Sequence, residues 1–291
     1  AAVAGGADVN GDGIPDVLIG APGRTGSGAW TGGAYLVSGA SLGPFGVSSL
    51  SASAAWILNG EFAGDFAGEA VALGGDVDGD GRSELLVSAP IADGGAAGSG
   101  RIYLLAGSGL GGTGTRRLGT GGLVFEGANA ELAGDSVAFA GDVDGDLLDD
   151  LLIGSVSAGR TTLWTAAALP ASGTSVLSAG PIQFTGTQGR SAAAADVDGD
   201  GLSDILLAGA GAAEAGVAWL FLGADLGPVG SYSGAQASFT WAGSTTGHLA
   251  GSALGSAGDT NGDGYDDLIV GSASPPTSGS AGSAWLLRSP W

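Results

Sequence analysis

The chain of 291 residues has no cysteine, no methionine and no lysine, and it contains a single histidine. The absence of cysteine excludes disulfide bonds, thiolate catalysis and zinc sites with cysteine ligands. One histidine cannot supply several zinc or copper sites. No apolar run reaches the length of a membrane span, so we expect no direct membrane insertion. Because eight basic residues oppose 29 acidic ones, the net charge of −21 predicts no nucleic-acid partner.

Glycine is abundant instead, with 61 residues, about three times its average usage. The sequence has no Gly-X-Y period, which excludes a collagen-like chain, and its regular apolar segments exclude a disordered tract. The composition therefore favours many tight turns and closely packed strands.

An acidic loop of nine residues occurs five times, and each copy runs into an apolar segment of β type. Asp or Asn stands at positions 1, 3 and 5 of the loop, and Asp or Glu stands at position 9. Successive loops begin 68, 66, 54 and 63 residues apart, and these four positions hold eighteen of the 29 acids. This spacing indicates a repeat architecture. The loops, numbered 1 to 5 below, are residues 8–16, 76–84, 142–150, 196–204 and 259–267.

The loops carry the donors that calcium prefers, which are 6 to 8 oxygens at about 2.3–2.6 Å. Side chains at positions 1, 3, 5 and 9 and the carbonyl at position 7 can form such a shell. Flanking helices and a glutamate at position 12 are lacking, so these are not EF-hands, and magnesium would demand a stricter octahedron. We expect about five structural Ca²⁺ ions on which folding depends. The predicted ligands are Asp8, Asn10, Asp12, Ile14, Asp16, Asp76, Asp78, Asp80, Arg82, Glu84, Asp142, Asp144, Asp146, Leu148, Asp150, Asp196, Asp198, Asp200, Leu202, Asp204, Asp259, Asn261, Asp263, Tyr265 and Asp267.

Loop 3 departs from the pattern at position 6. Leu147 stands where the other loops have glycine. Because a leucine resists the positive φ of a sharp turn, we predict that loop 3 binds its ion most weakly.

The parts around each loop recur in the same order. A strand of small residues precedes the loop, an apolar strand follows it, a third strand carries an aromatic residue, and a fourth, more variable strand closes the unit. Four short strands without helical periodicity predict an all-β fold, a single β-propeller domain of about five four-stranded blades with a calcium loop between the first and second strands. The predicted blades are approximately residues 1–60, 61–127, 128–186, 187–243 and 244–291. The matching aromatic residues, expected to pack between blades, are Tyr35, Tyr103, Trp164, Trp219 and Trp285.

Only four fourth strands can be identified, at residues 55–58, 123–125, 182–184 and 238–241. A closed ring would take its last strand from elsewhere, such as the tail at residues 288–291. Otherwise the chain is part of a longer propeller.

The strand, acidic loop and Gly-Ala-Pro tail of these units resemble the FG-GAP repeat of integrin α-subunit β-propellers. The elements behind that name occur as Phe/Leu-Ala-Gly at residues 66–68, 132–134 and 249–251, and as Gly/Ser-Ala-Pro at residues 20–22 and 88–90. Integrin propellers have seven blades with acidic loops in only some, whereas every repeat has one here. The resemblance implies an extracellular or cell-surface module that binds a protein or a glycan in adhesion. The absence of cysteine is more typical of secreted bacterial proteins.

Signatures of catalysis are scarce, and we expect no enzymatic activity. His248 aligns with Asp65 and Glu131 in a variable loop, and no serine has the partners of a triad. Carboxylate-based cleavage of a polysaccharide remains an alternative, because acids outside the loops, such as Glu61 and Glu126, could serve as acid and base. A purely structural unit of a larger surface assembly is the other alternative. The predicted ligand contacts are Trp30, Phe45, Tyr232 and Trp291.

Overall fold

The computed structural model describes residues 2–25, 28–43, 49–209, 215–244, 247–273 and 282–289, except the side chains of residues 190 and 191. This part of the chain is nearly all β, as predicted, and its strands form five sheets. One short helix, α1 (Leu50–Ser53), lies in a connection, and none of the described helices has the length and apolarity needed to cross a bilayer. One-turn 3₁₀ helices span Gly39–Ser41, Gly107–Leu110, Ala166–Ala168, Leu177–Ala179, Gly223–Asp225 and Gly234–Gln236.

The chain divides into two compact units. Unit 1 comprises Ala1–Phe139 and Leu169–Ala179, and unit 2 comprises Ala140–Ala168 and Gly180–Trp291. Within each repeat the first to last strands lie side by side in chain order, and three of the sheets also include one strand from the following repeat.

Unit 1 contains the sheets of repeats 1 and 2. The first sheet has the order β1 (Val3–Ala7), β2 (Asp16–Gly20), β3 (Gly33–Val37), β4 (Trp56–Asn59) and β8 (Gly114–Arg117). The second has the order β5 (Val71–Gly74), β6 (Glu84–Ala89), β7 (Arg101–Leu105), β9 (Leu123–Glu126) and β13 (Gly173–Val176).

Unit 2 contains the sheets of repeats 3 to 5. In repeat 3, β10 (Ala133–Gly141) begins in unit 1 and ends in unit 2, and β11 (Asp150–Ser155), β12 (Arg160–Trp164), β14 (Ile182–Thr185) and β18 (Gly230–Ser233) follow. Repeat 4 forms β15 (Thr187–Ala195), β16 (Asp204–Gly209), β17 (Val217–Phe221) and β19 (Phe239–Ala242). Repeat 5 forms β20 (Ala250–Gly258), β21 (Asp267–Ser272) and β22 (Ser283–Leu287).

Neighbouring repeats pack through buried apolar faces within each unit. In unit 1, Leu18 and Leu58 of repeat 1 share a core cluster with Val87 and Tyr103 of repeat 2, all at most 1% exposed. In unit 2, a second cluster joins the strands of repeat 4 to β21 of repeat 5. A single sheet cannot bury its own faces, so these clusters explain why the repeats depend on one another.

Each predicted first, second, third and fourth strand lies within its repeat, but the sequence did not reveal three additional strands. β8, β13 and β18 pair in parallel with β4, β9 and β14, respectively. Each comes from the connection between the third and fourth strands of the following repeat, so it covers the outer edge of the preceding sheet. Exposed apolar strand edges favour aggregation, and these three strands replace the edge of the fourth strand by a shorter and more polar one.

The predicted match of Trp164 with Tyr35 and Tyr103 is wrong. Trp164 pairs with Leu151, whereas Thr162 pairs with Ile153 in the place that Tyr103 takes opposite Val87. Since side chains alternate along a strand, the shift of two residues leaves Trp164 on the same face, where it is 3% exposed.

Candidate metal centres

The acid at position 1 shapes each acidic loop. Asp76 accepts the backbone N–H of Gly79 at 2.7 Å on one carboxylate oxygen and that of Gly81 at 2.8 Å on the other. The other loops repeat both bonds at 2.6–3.1 Å from Asp8, Asp142, Asp196 and Asp259. The two glycines have φ of 76° and 80°, which glycine adopts without steric cost. The carboxylate therefore caps a turn whose backbone wraps around it.

The side chains at positions 3 and 5 each accept the backbone N–H of the residue two positions further along the loop. The side-chain oxygen of Asp78 accepts the N–H of Asp80 at 3.1 Å, and Asp80 accepts the N–H of Arg82 at 2.9 Å. Both bonds recur in all five loops. These Asx turns hold three oxygen-bearing side chains on one loop, and each oxygen keeps lone pairs for a further ligand.

The acid at position 9 is buried in every loop. Asp204, which is 1% exposed, accepts the N–H of Val197 at 2.8 Å and that of Gly223 at 2.9 Å. The first donor, Val197, is at position 2 of the same loop, and the second, Gly223, lies just after the third strand of the repeat, β17. Asp16, Glu84, Asp150 and Asp267 make the equivalent pair of bonds at 2.8–3.3 Å. Position 9 therefore fastens the loop to the sheet, a role that the prediction of a metal ligand did not include.

Three of these buried carboxylates are electrostatically unfavourable without a cation. Burial raises the pKa of Glu84 and Asp150 to about 7 and that of Asp204 to about 6, even though the two N–H donors act in the opposite direction. The acids at positions 1, 3 or 5 of the same loop raise these pKa values further. Asp267 differs, because the hydroxyl of Thr260 donates to it and lowers its pKa.

Three loops bring carboxylates close enough to share a metal ion. One oxygen from each of Asp76, Asp78 and Glu84 lies within 4.8 Å of the others, and the same holds for Asp196, Asp198 and Asp204. Two oxygens bound to one calcium ion at about 2.4 Å can be at most about 4.8 Å apart. A donor set of oxygens alone suits a hard cation. These residues therefore fit the predicted type of ion.

Loop 3 clusters differently, through Asp142, Asp144 and Asp146 and without its position 9 acid. Leu147 has the predicted positive φ, 68°, and its side chain is 89% exposed. Loops 1 and 5 have Asn10 and Asn261 at position 3, which offer a neutral amide oxygen.

Successive loops within each unit are also bonded to one another. The N–H at position 8 donates to the carbonyl at position 1 of the preceding loop, as Ser203 does to Asp142 at 2.7 Å and Asp266 does to Asp196 at 2.9 Å. The side chain at position 7 lies over position 4 of the preceding loop, where a Cβ added to Gly199 would lie 2.7 Å from the ring of Tyr265. Sequence reasoning missed this contact, because the positive φ at position 4 already accounts for glycine in all five loops.

Acids outside the loops form a second charged cluster in unit 1. Arg101 binds Glu61 at 2.6 Å through one guanidinium nitrogen and Glu126 through another. The hydroxyl of Tyr103 donates to Glu61 at 3.0 Å. Burial raises the pKa of Asp65, and the N–H of Phe62 lowers it to a smaller extent. The two candidate acid–base residues are thus held by one arginine.

The other predicted residues have varied surroundings. Trp30 is 53% exposed, whereas Tyr232 packs against the rings of Phe184 and Phe221 and accepts the N–H of Gly227. Asp65 and Glu131 each accept an N–H three residues earlier, so their recurrence has a structural reason. Phe45 and Trp291 lie outside the described residues.

Models of known families match four stretches of the chain. The FG-GAP repeat matches residues 1–37, 67–105 and 250–287, and the FG-GAP-like repeat matches residues 142–207, which together exceed half of the chain. No functionally curated protein matches it. The 73 matching chains of known structure include BBS1N in a complex with ARL6DN, soaked with lead. That match has 13% identity and a TM-score of 0.41, and covers 98% of this chain and 67% of the other.

Proposed function

The chain belongs to the FG-GAP repeat family of β-propeller proteins, and we propose that it is a calcium-stabilised extracellular module that binds a protein or a glycan. The observation that carries the metal assignment is the buried acid at position 9, which adjoins further carboxylates in the same loop. A divalent cation would offset this concentration of negative charge. We assign about five such ions, held by positions 1, 3, 5 and 9 and the carbonyl of position 7.

The binding assignment rests on an exposed apolar surface in unit 1. Trp30, Phe62 and Ile91 are each at least 52% exposed, and all lie in connections at the strand ends opposite the acidic loops. Trp30 stacks on Phe66 with ring centroids 5.7 Å apart, and an adjoining cavity of about 240 Å³ is lined by Phe66 and Ile91 together with Glu69 and Asp135. Exposed aromatic rings beside carboxylates suit either a protein or a sugar. We name this surface the aromatic rim, defined by Trp30, Phe62, Phe66 and Ile91.

The backbone of Trp30 supports a role other than folding. Its φ is 57°, and its carbonyl accepts the N–H of Phe66, just as the carbonyl of Gly98 accepts that of Leu132 in repeat 2. A tryptophan with a left-handed backbone, where repeat 2 has glycine, lowers the stability of the fold by about 1–2 kcal/mol. Burial of the side chain offsets only part of this loss, because about half of its surface is exposed. Strain of this kind is often kept at binding sites.

Two observations favour binding over catalysis. Glu61 and Glu126 are neutralised by Arg101, and their side chains are only 14% and 11% exposed. His248 is hydrogen-bonded to Ser244 at 3.3 Å, and no carboxylate among the described residues is hydrogen-bonded to its ring. The two carboxylates are therefore poorly placed to meet a polysaccharide.

The metal assignment is tested by thermal unfolding with excess calcium, with excess magnesium and after chelation. We expect a calcium-specific rise in Tm that grows with concentration, as linkage requires. Equal effects of both cations would refute calcium specificity, and the absence of any shift would refute the metal assignment.

The binding assignment is tested separately, on calcium-loaded protein with a glycan array and a panel of extracellular proteins. Trp30→Gly should lose capture while keeping or raising Tm. Leu42→Ala, a change at a residue that is 55% exposed at the opposite strand ends, should keep capture. Capture that survives Trp30→Gly would rule out the aromatic rim, and the release of new sugar ends would favour the enzyme instead.

A further inference from the structure

The cavity of about 240 Å³ at the aromatic rim is built from equivalent positions of two neighbouring repeats of unit 1. Repeats 2 and 3 each contribute an apolar residue and an acid three positions later, Phe66 with Glu69 and Leu132 with Asp135. The connection after β6 completes the lining with residues 90–91. Two carboxylates from different repeats therefore line one cavity with apolar walls.

The backbone fixes these walls. Phe66 and Leu132 have φ of 53° and 52°, a left-handed conformation that is uncommon for residues other than glycine. Their N–H groups donate to the carbonyl of Trp30 at 3.2 Å and to that of Gly98 at 3.0 Å. Pro90 is buried, and its ring restricts its own φ. Because the walls are held before a ligand arrives, less conformational entropy is lost on binding.

The polar side chains of the lining offer acceptors and no donors. An ionised carboxylate has about four acceptor positions, and the remaining side chains of the lining are apolar. The side chain of Glu69 is exposed and forms no hydrogen bond or ion pair with the residues that the structure describes. A ligand that fits this cavity therefore supplies donors and a positive charge together with an apolar stem.

Arginine meets these requirements better than lysine or a neutral sugar does. A guanidinium group has five donors in a planar fork and no acceptor, so one group can bond the carboxylates of both repeats. It is less strongly hydrated than the ammonium group of lysine, and it packs well on aromatic rings such as that of Phe66. A neutral sugar would leave both carboxylates without a counter-charge.

We infer that this cavity binds an arginine side chain of a partner protein. The inference rests on the proposed function and narrows its ligand from a protein or a glycan to a protein with an exposed arginine. The methylene groups of the arginine pack against Ile91 and Leu132, and its guanidinium group bonds Glu69 and Asp135. The net charge of −21 adds a general attraction for basic partners, which is distinct from this site.

The test measures binding of the acetylated and amidated peptide Ala-Leu-Arg-Leu-Ala to the calcium-loaded protein by calorimetry at about 0.15 M salt. We expect saturable binding. The matched peptide contains citrulline, which keeps the shape of arginine but has no charge. It should bind at least about tenfold more weakly, because hydrogen bonds to a charged group are lost.

Variants of the protein locate the binding. Glu69→Gln should weaken binding of the arginine peptide about threefold, as expected for one exposed charge pair, and Glu69→Gln with Asp135→Asn should weaken it at least about tenfold. Asp225→Asn is the matched control, because Asp225 is an exposed acid of repeat 4 and its change removes the same charge as Glu69→Gln. This control should leave the affinity unchanged, and Glu69→Gln should leave Tm unchanged.

The inference is overturned if the arginine peptide does not bind, if the citrulline peptide binds equally, or if Asp225→Asn weakens binding as much as Glu69→Gln does. These results differ from a failure of the proposed function. Capture that depends on Trp30, without binding of the arginine peptide, would refute the arginine site alone. Binding of the peptide without capture of any protein or glycan would refute the proposed function alone.

Discussion

The carboxylate of Asp204 accepts two buried backbone N–H groups, from Val197 at 2.8 Å and from Gly223 at 2.9 Å. Asp204→Ala leaves both groups without an acceptor. Each unsatisfied buried donor costs about 1–3 kcal/mol, so the free energy of unfolding should fall by about 2–6 kcal/mol. Removal of a buried carboxylate, whose pKa burial raises to about 6, offsets part of this loss. The loss should persist in chelator, because it arises from backbone bonds rather than from an ion.

Asp198→Ala in the same loop is the matched control. Asp198 is exposed and accepts one N–H, from Asp200 at 3.1 Å. Its removal should cost at most about 0.5 kcal/mol in chelator, as is usual for surface changes. Both variants should lose the calcium-dependent stabilisation of loop 4.

The assay is urea unfolding followed by tryptophan fluorescence, in chelator and in calcium, with m-values compared to verify the same transition. Equal stability of the two variants in chelator would refute the role of position 9 in fastening the sheet. Full calcium stabilisation of Asp198→Ala would refute loop 4 as an ion site.

Other changes test the loops and the charged cluster. Leu147→Gly should raise the free energy of unfolding by about 1 kcal/mol, because it relieves a left-handed φ of 68° at a side chain that is 89% exposed. Thermal unfolding measures this change, and a loss of stability would contradict the prediction. Gly199→Ala should cost about 1–3 kcal/mol more than Gly262→Ala, since both have positive φ but only the first would bring a Cβ to 2.7 Å from the ring of Tyr265. Equal costs in urea unfolding would show that the ring moves freely. Arg101→Ala should cost about 3–5 kcal/mol, because two largely buried glutamates lose their only ion-pair partner among the described residues. A cost below about 1 kcal/mol in urea unfolding would show that this cluster does not stabilise the fold.

The repeated strands could be predicted because the same pattern occurs five times. An apolar second strand such as β6, buried along its whole length, contrasts with the polar loop before it. β8, β13 and β18 could not be predicted in the same way. Their sequences lack an apolar alternation, and their partners lie in the preceding repeat, so that pairing depends on tertiary structure rather than on local propensity.

The sequence predicts which residues form the candidate site, but not the hydrogen bonds that join them to the sheet. The sequence identifies the position 9 acid as an oxygen donor, whereas its second N–H partner lies beyond the third strand, 19 residues away in the case of Gly223 and Asp204. The usual glycine at that place was an available signal. A Cβ on Gly39 would lie 2.1 Å from the carbonyl oxygen of Pro15, and one on Gly223 would lie 2.7 Å from that of Ser203. Close approach of two backbones therefore favours glycine at the second donor in repeats 1, 2 and 4, whereas Ala166 and Ser289 donate in repeats 3 and 5.

The residues proposed to bind calcium also take part in the assembly of the sheets. The carbonyl of Asp196 receives the N–H of Asp266 from the next loop, while its carboxylate accepts the N–H groups of Gly199 and Gly201. A cation held by that carboxylate would therefore fix a residue that contacts the following repeat. The chain has no disulfide to supply such a constraint, because it has no cysteine. Repeats that stabilise one another through nearest-neighbour contacts gain most from constraints placed at those contacts. If the loops bind calcium as proposed, this coupling accounts for an acidic loop in every repeat.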